Sequence, residues 1–143
     1  MNARKRLMFA GLILVMSLAS VLPASAGVVE GCTPGFWRNH PSVWPTNPNR
    51  LLNEFFGDNV PFDTSLTLWQ AVNLKGGGIN AVARHAAAGV LNILHPQVDY
   101  AFENPPNTPE GWQAAFELLN YLVVFEFDTL VHFNETLAPG FCE

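Results

Sequence analysis

Apolar residues recur at helical spacing along most of this chain, and glycine or proline closes most of the runs. The strongest stretch is 79–95. It is rich in alanine, carries Ile79, Val82, Ala86, Val90 and Ile93 on one stripe, and is stopped by Pro96. Small residues at Ala83, Ala86, Ala87 and Gly89 would let another helix approach closely, which makes this helix the expected centre of the fold. Ahead of it, Gly76, Gly77 and Gly78 predict a tight turn between helices. A phosphate-binding loop would need a Gly-Lys-Ser/Thr ending and a preceding strand, and neither is present.

The other runs are shorter. Thr33-Pro34 has the form of a helix start, with Thr33 capping and Pro34 in the first turn, which predicts a short helix over 36–40 stopped at Pro41. Three prolines, Pro41, Pro45 and Pro48, predict a loop over 41–48. Residues 50–56 read as an amphipathic helix with Leu51, Leu52, Phe55 and Phe56 inward and Gly57 at its end. Asp63 or Thr64 would cap a helix over 65–74 that buries Leu68, Trp69 and Val72. Thr108-Pro109-Glu110 repeats the cap signal after the loop at Pro105-Pro106-Asn107, and Trp112, Phe116, Leu119 and Val123 predict a helix over 109–124. Phe125-Glu126-Phe127-Asp128 alternates as a strand does, but an isolated strand would lack a partner, so a break is expected near Glu126. Asp128 or Thr129 would then cap a last helix to about Thr136, with Leu130, Phe133 and Leu137 inward and Asp128, His132 and Glu135 on the opposite side. The whole pattern predicts an all-α single domain of five to six helices with proline-rich loops.

The first residues have a different pattern. Arg4, Lys5 and Arg6 precede an apolar stretch over 7–22 that ends in Ala24-Ser25-Ala26. A basic head, a short apolar body and small residues before a cut are the layout of a signal peptide, so cleavage is expected after Ala26 and a secreted or periplasmic domain over 27–143. The apolar stretch is short beside the roughly 20 residues that a membrane span needs. Cys32 does not stand at the cut, as the lipid-bearing cysteine of a lipoprotein would.

Removal of that segment leaves Arg38, Arg50, Lys75 and Arg84 against all twelve acidic residues, a net charge of −8. Nucleic acid and anionic membrane are therefore poor partners. The remaining 117 residues suffice for one core, in which tryptophan and phenylalanine supply large buried areas. The two cysteines stand near the ends of the exported part. In an oxidising compartment they favour a Cys32–Cys142 disulfide over a redox-active or metal-binding pair, for which no Cys-x-x-Cys spacing exists.

Residues 31–41, Gly-Cys-Thr-Pro-Gly-Phe-Trp-Arg-Asn-His-Pro, form the most specific motif of the chain, and Trp44 follows it closely. This run resembles the Cys-Thr-Pro-Gly-Tyr-Trp-Lys-Asn-His module of secreted or surface-attached bacterial proteins. The similarity continues through Phe55-Phe56-Gly57, the triple glycine, Arg84-His85, Val98-Asp99-Tyr100 and the C-terminal cysteine. The resemblance implies export, a helical module and a cysteine pair, and it supplies no activity. Phe36 and Arg38 stand where that pattern more often has Tyr and Lys, so a role needing the phenol would be absent here.

If the first motif packs against the central helix, Trp37, Arg38 and His40 with Arg84 and His85 form the candidate ligand site. His40 and His85 could hold a divalent metal or, with the arginines, a small anion, and histidine could shuttle protons. The competing reading makes Trp37 core, lays Arg38 over an aromatic face and gives the histidines ordinary hydrogen bonds. His85 and His95 cannot share an ion, because ten residues of helix separate them by about 15 Å. Asp128, His132 and Glu135 share a helix face and form a weaker metal candidate, against the alternative of a solvated face. No zinc-protease signature or Gly-x-Ser-x-Gly setting occurs, and no carboxylate pair stands out for glycoside hydrolysis.

Three kinds of protein fit these features. The first is an exported structural or interaction domain whose aromatic-rich first motif and loops meet a protein or polysaccharide at the cell exterior, with exposure of Trp44 or of a Phe125–Phe127 patch as its sign; no cofactor is then expected. The second is a metal- or small-ligand-binding module using His40 and His85. The third is a small extracellular hydrolase, which would need a cleft holding a perturbed acid or histidine. The first is the preferred expectation.

Overall fold

The structure is a computed structural model that describes residues 31–98, 100, 109–136 and 141–142. The proposed signal segment, the 105–107 loop and Leu137 lie outside the described residues. Five helices are present among them: α1 (Pro34–Asn39), α2 (Leu68–Asn73), α3 (Ile79–Leu94), α4 (Pro109–Phe125) and α5 (Phe127–Glu135). Short 3-10 turns occur at Pro41–Val43 and Leu52–Glu54. The all-α architecture, the proline-containing loops and the disulfide between Cys32 and Cys142 are as the sequence predicts.

Helix α3 is the hub, touching α1, α2, α4 and α5. Alanine and glycine make this possible, because they bring neighbouring backbones near without side-chain collision. Ala83, Ala86, Ala87, Ala88 and Gly89 are all buried. A Cβ on Gly89 would come within 2.6 Å of the Leu119 side chain of α4, which marks a close approach of the two helices. At the head of α3, Gly76 and Gly78 take positive φ values of 88° and 59°, which side chains rarely adopt. Arg84 closes this turn by donating to the carbonyls of Leu74 and Gly76 at 3.1 and 2.7 Å.

Thr33 caps α1 as expected, its hydroxyl accepting the Phe36 N–H at 3.0 Å. The chain breaks at Glu126, which divides α4 from α5. Neither Asp128 nor Thr129 caps α5, because the helix already begins at Phe127 and Glu126 occupies the cap position without a side-chain bond.

The 50–56 segment is not a helix beyond its 3-10 turn. Leu52 and Asn53 donate their N–H groups to Leu66 and Thr64, and Leu51 bridges Thr67, so cross-chain pairing replaces helical bonding and leaves Leu51 exposed. This pairing also delays α2. Thr67, instead of Asp63 or Thr64, caps it in a reciprocal bond with Gln70, while Asp63 holds Ser65 in a local turn. Trp69 and Trp112 lie at the surface, contrary to the expected stripes. Ala71 in α2 and Gly111 and Ala115 in α4 take the inward positions, and Ile79 of α3 is likewise exposed.

Candidate functional site

The first motif docks on the C-terminal half of α3 through one side chain, Asn92. Its Oδ1 accepts the Cys32 N–H at 2.9 Å and the Trp37 indole N–H at 3.0 Å, and its Nδ2 donates to the Cys32 carbonyl at 3.1 Å. The amide thus pairs with the Cys32 peptide as another peptide would. Its second Nδ2 bond runs to Asn134 Oδ1 of α5 at 2.9 Å, and the same oxygen accepts the Tyr100 hydroxyl at 2.8 Å. Asn134 in turn donates to the His85 carbonyl at 2.9 Å. Asn92 and Asn134 are fully buried, and among the described residues no buried side-chain polar atom lacks a partner. Satisfied amides in a dry interior fix relative positions well, because each lost partner costs about 1–3 kcal/mol.

Gly31 is part of the same joint. Its N–H donates to Thr136 O at 2.6 Å, and a Cβ there would sit 2.5 Å from Phe133 O and 3.0 Å from Asn92 Nδ2. Only glycine lets the chain pass between α5 and the Asn92 amide. Cys32 then turns toward Cys142, the two Cα atoms lying 5.3 Å apart.

The five residues of the candidate ligand site are not gathered into one place. Trp37 is sealed in the core. Arg38 is exposed at the end of α1 and its side chain makes no hydrogen bond or ion pair among the described residues, and Arg84 is occupied by the glycine turn. The exposed His40 stacks on Phe36 at 4.4 Å and bonds the Phe36 carbonyl through Nδ1 at 2.9 Å. His85 sits edge-on to Phe127 at 5.7 Å, its Nδ1 facing Asn134 Nδ2 at 3.3 Å. Burial lowers its pKa, Glu135 opposing and Arg84 adding to that shift. No hydrogen bond or ring contact joins His40 to His85. The motif seats near Asn92, seven residues and about 10 Å of helix beyond His85.

A different histidine joins the motif. His95, at the end of α3, stacks on Phe141 at 4.2 Å and leans on Trp37 at 5.7 Å, while Phe141 also meets Phe36 at 5.4 Å. His95 Nδ1 accepts the Gln97 N–H at 3.2 Å, and the ring also bonds the Val43 backbone. A neutral ring protonated on Nε2 satisfies both bonds, and burial accordingly lowers the His95 pKa. Trp44 fastens the same loop by donating its indole N–H to Trp37 O at 2.8 Å.

Asp128, His132 and Glu135 are exposed on one face of α5, and among the described residues no group of three or more metal-ligating side chains could hold an ion. The two carboxylates with displaced pKa values are also at the surface. Glu54 is lowered by the Leu51 N–H and then by Arg50, and Asp63 by Ser65. Both shifts come from local bonds, not from a cleft.

An open groove among the described residues lies elsewhere. Gly57, Asn59 and Val60 form one wall of a groove of about 360 Å³, and Asn120, Tyr121, Val124 and Phe125 of α4 form the other. Phe125 is 70% exposed, Tyr121 50% and Val124 39%, so the end of α4 presents large apolar groups to solvent. The Tyr121 and Phe125 rings pack together at 5.3 Å. Alternation around Glu126 signals Phe125 in the sequence, but nothing there pairs it with residues 57–60. A polar residue inside the apolar run Val90-Leu91-Asn92-Ile93 was the available signal for the Asn92 joint.

No family model, no curated protein and no solved structure matches this chain.

Proposed function

We propose that this chain is an exported interaction domain, closed by its disulfide, which presents the groove beside Phe125 to a partner outside the cell and performs no reaction of its own. The observation that carries this reading is the exposed Tyr121–Val124–Phe125 surface around a formed groove. Adjoining apolar side chains left in water on a domain with a well-sealed core are the usual mark of a contact surface. The Cys32–Cys142 bond supports export, because such bonds persist in oxidising compartments. Among the described residues no helix is long and apolar enough to cross a membrane.

The test is photo-crosslinking on the producing cell. A benzoyl-phenylalanine placed at Phe125 is expected to give one discrete protein or polysaccharide adduct, whereas the same probe at exposed Asp63 gives none. Absence of any adduct at Phe125 would remove the reading.

A further inference from the structure

The groove beside Phe125 has an electrostatic character that narrows its occupant. Asp58 lies between the lining residues Gly57 and Asn59, Glu117 stands one helical turn before Tyr121, and Glu126 follows Phe125; all three are exposed. Among the described residues no lysine or arginine lines the groove. The four basic residues that follow the signal segment are placed elsewhere: Arg84 and Lys75 at the glycine turn, Arg38 on α1, and Arg50 paired with Glu54 at 2.8 Å while covering Phe55. The lining is mostly apolar, and exposed acidic residues flank it along the chain.

Resting on the interaction reading above, we propose that this groove receives a basic amphipathic segment of a partner protein. The apolar side chains of that segment seat against Val60, Tyr121, Val124 and Phe125, and lysine or arginine on its flanks meets Asp58, Glu117 and Glu126. The volume of about 360 Å³ falls within the range of roughly 300–1,000 Å³ typical of ligand clefts. The Tyr121 hydroxyl makes no hydrogen bond within the described residues and is free to bond the incoming chain. Charge complementarity selects the partner. A second copy would bring the same three acids against each other, and an anionic lipid surface would be repelled by them.

The probe is an 18-residue leucine/lysine amphipathic peptide, titrated calorimetrically into the exported, oxidised protein beside a leucine/glutamate peptide of identical pattern. Saturable binding of the lysine peptide alone is expected. Tyr121→Ala/Phe125→Ala should weaken it about tenfold or more at unchanged melting temperature, since buried aromatic anchors carry most interface energy. Asp58→Asn/Glu117→Gln/Glu126→Gln should weaken binding and flatten its salt dependence, while Asp63→Asn leaves both alone. Equal binding of the two peptides, no binding of either, or equal binding by the Tyr121/Phe125 variant would overturn the proposal. So would self-association in sedimentation that the Phe125 change abolishes, which would assign the groove to a second copy. A Phe125 crosslink to a partner lacking a basic segment also overturns it while leaving the interaction reading standing; no crosslink at all removes that reading itself.

Discussion

The two ends of the structure differ in how they use polar and aromatic groups. Around Asn92, an amide, an indole, a phenol and a peptide are all paired in the dark of the core, and Phe36, His95 and Phe141 stack over them. At the end of α4, Tyr121, Val124 and Phe125 stand in water with apolar area uncovered. The conspicuous motif therefore works as a joint, and the residues left free to meet another molecule belong to a segment with no motif. A specific sequence signature marks a demanding local geometry as readily as it marks a chemical site.

The sharpest way to break this contrast is at Asn92. Asn92→Leu fills similar space but strips partners from the Cys32 N–H, the Cys32 carbonyl and the Trp37 indole. At about 1–3 kcal/mol for each orphaned group, a loss of at least about 3 kcal/mol is expected in denaturant unfolding. That is a large share of the roughly 5–15 kcal/mol that holds a domain together. A loss below about 1 kcal/mol would show that the amide is dispensable to the joint.

Removing the covalent part of the same joint comes next. The disulfide closes a span of 110 residues, for which chain entropy gives an upper figure of about 4–5 kcal/mol and measured cases commonly about 2–4. Cys32→Ser/Cys142→Ser should lower stability within that range. The helical circular-dichroism spectrum should survive, because Asn92 still grips the Cys32 backbone position. Loss of helix on reduction would mean that the amide joint forms only once the bond has closed.

Much of this joint was legible, and the reasons for the exceptions are physical. Thr33-Pro34 announced α1, the alanines announced a central helix, and the two cysteines announced their own bond. Trp69 and Trp112 lie outside because two demands compete for the contact face of each helix. Burying a large ring gains area, whereas a close helix approach requires small residues. Ala71, Gly111 and Ala115 took the contact, and the indoles went outside. A pairing of His40 with His85 needs the first motif to pack beside the Arg84-His85 stretch of the central helix. The pairing that exists runs from His40 through Phe36 and Phe141 to His95, and its register follows from Asn92, which no spacing rule ranks above its apolar neighbours.

Acid should weaken the sealed end and spare the open one. Both His85 and His95 are held below the ordinary histidine pKa of 6.5, chiefly by burial. Between that value and their folded-state values the unfolded chain binds more protons than the native one, so stability falls as pH falls through this window. The contribution is complete above pH 6.5 and is lost as the pH drops through the folded-state values. Melting temperature should decline on going from neutral to mildly acidic buffer. His95→Asn keeps an acceptor near the Nδ1 position but has no ring to protonate, so it should flatten part of that decline. An unchanged slope would place the acid sensitivity outside the motif.

The smallest effect on folding belongs to Phe125→Ser, and its smallness is the point. Phe125 is 70% exposed and one residue from the break at Glu126, where its apolar contact is mainly the Tyr121 ring. Surface substitutions away from caps and cores stay within about 0.5 kcal/mol. The variant should therefore unfold with the parent in urea while binding less of an apolar dye. If it is instead destabilised by more than about 1 kcal/mol, the ring is holding α4 against the 57–60 turn, and the two ends of the molecule differ less than their exposure implies. If stability holds and dye binding falls, the ring gives the fold nothing by standing in water, which is what the contact role proposed for it requires.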